Sequence, residues 1–157
     1  MDNSEDSMLG LLSESDSERV KAVTGRALGY IRQRYPYWDC PDSDLRSWLT
    51  WHWCHGLVAL LEDAEAPEVA ALVVARFFDD LRDYETDYKH IHGGQICYVQ
   101  LAIANCAQAF SAAIHLLEAR HGSPARIIFE RGAKGLGPRI YLFNQFIHKL
   151  ESQNVES

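Results

Sequence analysis

No Asp, Glu, Lys or Arg occurs in the 28 residues between Lys89 and Glu118 of a 157-residue chain in which 24% of residues are charged. A segment without a charged face has to be enclosed by other elements. Gln100, Asn105, Gln108, Ser111 and His115 interrupt the stretch, which excludes the continuous apolar run of a membrane span. Cys-x-x-Cys pairs are also missing. Cys40, Cys54, Cys97 and Cys106 have no spacing that suggests a shared metal or a close disulfide, so free thiols in a reducing compartment are expected. The opening MDNSEDSMLGLLSESDSE has neither the basic start nor the apolar core of a secretory signal, and the closing FIHKLESQNVES has no apolar anchor. A cytoplasmic protein without signal peptide or C-terminal anchor is expected. No glycine-rich phosphate loop follows a strand, and no Ser, Cys or Lys sits in a recognisable nucleophile setting; on these grounds the chain is not an enzyme.

What is present is ordinary in amount and uneven in placement. Apolar residues make up 47%, enough for one domain's core. Residues 1–90 hold 18 acids against 9 bases, and residues 91–157 hold 4 against 6, so the two parts are net −9 and +2. Affinity for nucleic acid comes mainly from neutralising phosphates, and a chain of net charge −7 is not expected to bind it generally.

Helical spacing dominates the pattern. Residues 1–17 read as a disordered acidic tail, with too little apolar surface to offset ordering. Val20, Val23, Ala27, Tyr30 and Ile31 then recur at helical intervals behind Ser17 as a plausible N-cap, until Pro36 ends the helix. Asp42 to Asp44 open a second helix carrying Leu45, Trp48, Leu49, Trp53, Leu57, Leu60 and Leu61. Val69 to Asp87 read as a third. Gly93 and Gly94 break the chain ahead of the uncharged stretch, whose central helix is expected to enclose Leu101 and Ala104. Gly135, Gly137 and Pro138 introduce a last helix through Lys149. The expectation is an all-α fold: a single helical-bundle domain over residues 18–150, a buried apolar helix at its centre, and a disordered terminus at 151–157.

Seven histidines invite a metal, but the His52/His55, Asp87/His90 and Glu118/His121 pairs do not assemble into a di-iron or zinc ligand set, so no metal or cofactor is expected. Arg120, Arg126, Arg131, Lys134, Arg139 and Lys149 form a basic region whose helix, glycine turn and helix loosely suggest a helix-turn-helix; a solvated face balancing the acidic half explains it more simply.

Read in order, several segments resemble the B-cell lymphoma two family of apoptosis regulators, especially its divergent viral members. Leu28, Tyr30 and Ile31 followed by Tyr37, Trp38 and Asp39 are similar to the family's first helix and its aromatic turn. Val73 to Leu81, with Phe77, Phe78, Asp79 and Asp80, resembles the helix ahead of the family's Asn-Trp-Gly-Arg-Ile motif. His92, Gly93, Gly94, Gln95 and Ile96 stand where that motif would fall. Leu136, Gly137, Pro138, Arg139 and Ile140, with Phe143, Asn144, Gln145 and Phe146, are similar to its later motifs. Gly93 replaces the motif's Trp, Gln95 its Arg, and Arg139 a second Trp. The resemblance implies an inhibitor of cell death that holds amphipathic death-motif helices of host proteins in a surface groove lined by Phe78, Leu81, Gly94, Gln95 and Tyr98. The alternative is a small helical regulator or adaptor whose basic C-terminal region contacts nucleic acid or a protein partner.

Overall fold

A computed structural model describes residues 13–63, 68–130 and 138–156. The chain divides into two compact units, Met1–Val58 and Ala59–Ser157.

The first unit is a pair of packed helices. Helix α1 (Glu14–Arg34) starts one turn earlier than its apolar pattern suggests, because Ser13 caps it by accepting the Asp16 N–H at 3.2 Å, and Glu14 and Asp16 oppose the helix dipole. Residues 14–17, expected in the tail, are therefore helical. Val20, Val23, Ala27, Tyr30 and Ile31 are buried, as their spacing requires. Helix α2 (Asp42–Cys54) buries Leu45 and Leu49. Arg32 organises the turn between them: its Nε donates to Asp42 Oδ1 and one terminal nitrogen to the Trp38 carbonyl, both at 2.8 Å, and the other terminal nitrogen donates to the Cys40 carbonyl.

The second unit corrects the all-α expectation. It holds a five-stranded mixed sheet in the order β1-β2-β3-β4-β5, made of β1 (Val58–Glu62), β2 (Val69–Phe78), β3 (Ile96–Ala104), β4 (Arg126–Phe129) and β5 (Arg139–Leu142). Helices α3 (Ala107–His121) and α4 (Phe143–Glu156) complete it. The supposed third helix is β2, and the supposed central helix is two elements, β3 and α3. Leu57, Leu60 and Leu61, assigned to the end of the second helix, fall at and within β1. The last helix exists, begins at Phe143 and runs on to Glu156. The physical reason is burial on both sides. Eight consecutive residues of β2, Ala71 to Phe78, are inaccessible, so the strand shows no alternation and reads like an enclosed helix. Leu101 is buried as expected, but on a strand; Ala104, which a central helix would enclose, is exposed at the end of β3.

β2 pairs antiparallel with β3, from Ala71 opposite Ala104 to Phe78 opposite Ile96, and the register slips between Val74 and Ala75, where Gln100 is the extra residue. β3 and β4 are parallel, joined by α3 as the crossover, and β5 returns antiparallel to β4. Helix α3 packs on β2 and β3, α4 packs on β4 and β5, and the two helices touch, so both cover one face of the sheet. Phe77 and Cys97 face them, meeting Ile114, Leu117 and Phe143. On the other face Phe78, Ile96, Tyr98 and Ile128 cluster beneath Tyr84 of the β2–β3 connection.

Candidate functional site

The β3–α3–β4 unit places a strand's carboxyl end, a helix's amino end and a returning helix around one surface cavity, the position where open α/β sheets receive ligands. Its volume is about 660 Å³, and it is lined by Ala104, Asn105 and Cys106 at the strand-to-helix turn, Ala107 and Phe110 on α3, Tyr141 on β5, and Gln145, Phe146, Lys149 and Leu150 on α4. The turn is fixed locally. The Asn105 N–H donates to the Ala70 carbonyl at 3.0 Å, and Cys106, in extended geometry, caps α3 by accepting the Ala109 N–H on Sγ at 3.4 Å. The first amides of α3 and their partial positive charge therefore face the cavity mouth.

One wall is aromatic. Phe146 lies 4.9 Å from Phe129, 5.7 Å from Tyr141 and 6.1 Å from Phe110, centroid to centroid. All four rings are only half-buried, which leaves an apolar surface of ligand size open at the rim of a concavity. Among the described residues, Lys149 is the single side chain of fixed charge in the lining, and no carboxylate or histidine stands there. The lining therefore combines an apolar body site with a cationic end, and among the described residues it offers Cys106 no neighbouring base that would make it a nucleophile.

The five residues assigned to a groove by resemblance do lie close together, but around the β2–β3 connection rather than between helices. Phe78 ends β2 and Tyr98 lies in β3, both buried, with their rings 6.2 Å apart. Leu81 is exposed on a 3₁₀ turn, Leu81–Glu85. Gln95 is exposed, and its N–H donates to Asp79 Oδ1 at 3.0 Å. Gly94 is buried, and a Cβ on it would stand 2.7 Å from the Phe78 nitrogen and 2.9 Å from its Cα. The glycine serves close approach within the fold. The helix-lined groove is thus replaced by a loop folded onto a strand end.

Arg76 holds that loop and was not singled out by any motif. It is 1% exposed, and its guanidinium is 5.3 Å from the Phe78 ring centre and 5.2 Å from that of Tyr98. Its terminal nitrogens donate to the carbonyls of Asp83, Lys89 and Tyr84 at 2.9, 3.1 and 2.6 Å, while Nε has no partner among the described residues. Burial lowers its pKa, partly opposed by Tyr98, Asp87 and Asp83. Burial, then the hydrogen bond to Glu130, pushes the Tyr98 hydroxyl well above the usual tyrosine range. The network joins three carbonyls, two rings and one carboxylate inside the molecule, which is a structural arrangement. The only sequence clue was a lone arginine amid apolar residues.

The basic region does not form a helix-turn-helix, because Gly122 to Pro124 lead into β4 and Arg126 and Arg139 lie on strands. Arg131 and Lys134 lie outside the described residues. Among the described residues no helix is long and apolar enough to cross a membrane. Comparison with protein-family models, curated proteins and solved structures finds no match for this chain.

Proposed function

We propose that the second unit is a binding module for a small organic anion with an aromatic or acyl body, received in the cavity between α3 and α4. The observation that carries this reading is the coincidence of half-buried aromatic rings with Lys149 and the α3 amino terminus in one concavity of about 660 Å³. In a chain of net charge −7, a lining whose one charged side chain among the described residues is positive selects for an anion. The amides of α3 and Lys149 take the carboxylate or phosphate, and Phe110, Tyr141 and Phe146 take the apolar part. The death-motif reading required a groove between helices, and the sheet that occupies those residues removes that premise.

The test is a panel of aromatic carboxylates, acyl carboxylates and phosphate monoesters followed by NMR shift perturbation. Binding should move the amides of Cys106, Ala107 and Lys149, and Lys149→Met should weaken it about tenfold, the size of one charge-assisted hydrogen bond. Shifts confined to other parts of the molecule, or equal binding by Lys149→Met, would overturn the reading.

A further inference from the structure

His90 and His92, two residues apart, meet the distant His121 at the opposite end of α3, about 22 Å from the cavity by the rise of a 15-residue helix. His90 and His92 lie on the β2–β3 connection, and His121 is the last residue of α3. The His121 ring is buried, 4.9 Å from the rings of His90 and Phe77 and 5.3 Å from that of His92.

Phe77 directs its backbone polar groups away from β3, and the loop supplies both partners. The Phe77 N–H donates to His90 Nδ1 at 3.1 Å, and the Ile91 N–H donates to the Phe77 carbonyl at 2.8 Å. A side-chain nitrogen thus stands where a neighbouring strand would present a carbonyl. Only a neutral imidazole, protonated on Nε2, can accept there; a protonated ring turns a second donor toward the amide. A similar constraint acts next to it. His92 Nδ1 and His121 Nδ1 are 3.2 Å apart, a separation that accommodates one proton between them and not two.

We propose that His90, His92 and His121 form a pH-sensitive clasp that fastens the β2–β3 connection to the edge of β2 when neutral and releases it on acidification. The titratable and charged groups on the elements packed here are Arg76 on β2, Asp79, Asp80, Arg82, Asp83, Glu85, Asp87 and Lys89 on the connection, and His115, Glu118 and Arg120 on α3. Asp83 pairs with Lys89 at 3.0 Å, and Glu118 accepts from Ser123 and His115. Arg76 fastens the same connection from the other face of β2, where its donors hold the Asp83, Tyr84 and Lys89 carbonyls. Release would therefore loosen the cover over Phe78 and Tyr98. Because the closed form binds fewer protons than the open form, its population falls as pH drops through the histidine range.

The test is amide hydrogen exchange of Phe77 and Ile91 on the full chain, corrected for intrinsic rates, at pH 7.5 and pH 5.5. With an ordinary histidine midpoint near 6.5, protection of these two amides should fall about tenfold across that interval, whereas Val73 in the middle of β2 should hold. His90→Asn keeps an acceptor at the Nδ1 position and cannot titrate, so it should abolish the change. Protection that is independent of pH, or an equal fall in His90→Asn, would overturn the proposal. Should that variant fail to fold, nitrogen NMR of the parent decides: a His90 ring carrying its proton on Nε2 at pH 7.5 and gaining the second as the Phe77 amide opens supports the clasp, and an Nδ1–H ring at pH 7.5 refutes it.

Discussion

Gly94 separates the two accounts of this chain most sharply, since a partner groove and an internal contact assign it opposite roles. In the structure, replacing it with alanine puts a methyl 2.7, 2.9 and 3.0 Å from the nitrogen, Cα and carbonyl carbon of Phe78. Ordinary contact begins near 3.5 Å. The obstacle is the backbone of a fully buried strand residue, so the 91–95 turn has to yield. Moving it away stretches the Ile91 N–H bond to the Phe77 carbonyl at 2.8 Å and the Gln95 N–H bond to Asp79 at 3.0 Å, each worth about 1 kcal/mol. Overpacking at a rigid site costs about 1–3 kcal/mol. Alanine also restricts the unfolded chain, which returns about 0.4–1 kcal/mol. The steric term wins, and the net loss is about 2 kcal/mol. At about 2–4 °C per kcal/mol for a chain of this size, Gly94→Ala should melt about 4–8 °C below the parent by circular dichroism. A larger residue such as glutamate should be worse. Parent-like stability of Gly94→Ala would refute the contact and restore the view of this glycine as a surface position.

Other expectations follow from the same geometry. Leu101→Asp buries a carboxylate in the middle of β3 and should cost several kcal/mol, enough to prevent cooperative unfolding in denaturant titrations. Arg76→Met should leave the sheet folded yet raise proteolysis of the 79–95 connection, because three carbonyls lose their donor; an unchanged cleavage rate would deny the arginine its organising role. Cys106 is exposed, whereas Cys97 is 2% exposed with burial pushing its thiol up to about 12, so a thiol reagent should modify Cys106 in the native protein and Cys97 only on unfolding. His115 on α3 lies 2.9 Å from Glu118 and 3.1 Å from Glu151 of α4, and the hydrogen bond to Glu118 raises its pKa. A raised value means stability present below the unfolded midpoint near 6.5 and lost as pH climbs through the folded one. The denaturation midpoint of the parent should therefore exceed that of His115→Gln more at pH 5.5 than at pH 8.5.

Sequence by itself determined the helices that have one wet face. Val20 to Ile31 and Leu45 to Leu49 show period 3.6 because one side of each helix meets solvent, and a turn residue marks each boundary. The expectation that the whole uncharged stretch is enclosed held only in part, since Ile96 to Val99, Leu101 and Ile103 are buried whereas Ala102, Ala104 and Cys106 are exposed. Tertiary structure alone decided that this stretch is a strand followed by a helix, since a strand covered on both faces loses the alternation that would reveal it, and the β-branched and aromatic residues of Val69–Phe78 and Ile96–Ile103 were the remaining trace. The cavity was illegible for a related reason. Cys106, Tyr141 and Lys149 are separated by 35 and 8 residues and have no spacing in common; the parallel β3–β4 pairing and its α3 crossover bring them together. His90, His92 and His121 likewise share no local pattern, and they converge because antiparallel β2 and β3 return the chain to the end of α3. Periodicity records how a segment meets solvent, whereas a site records which segments meet each other, and that is set by strand pairing.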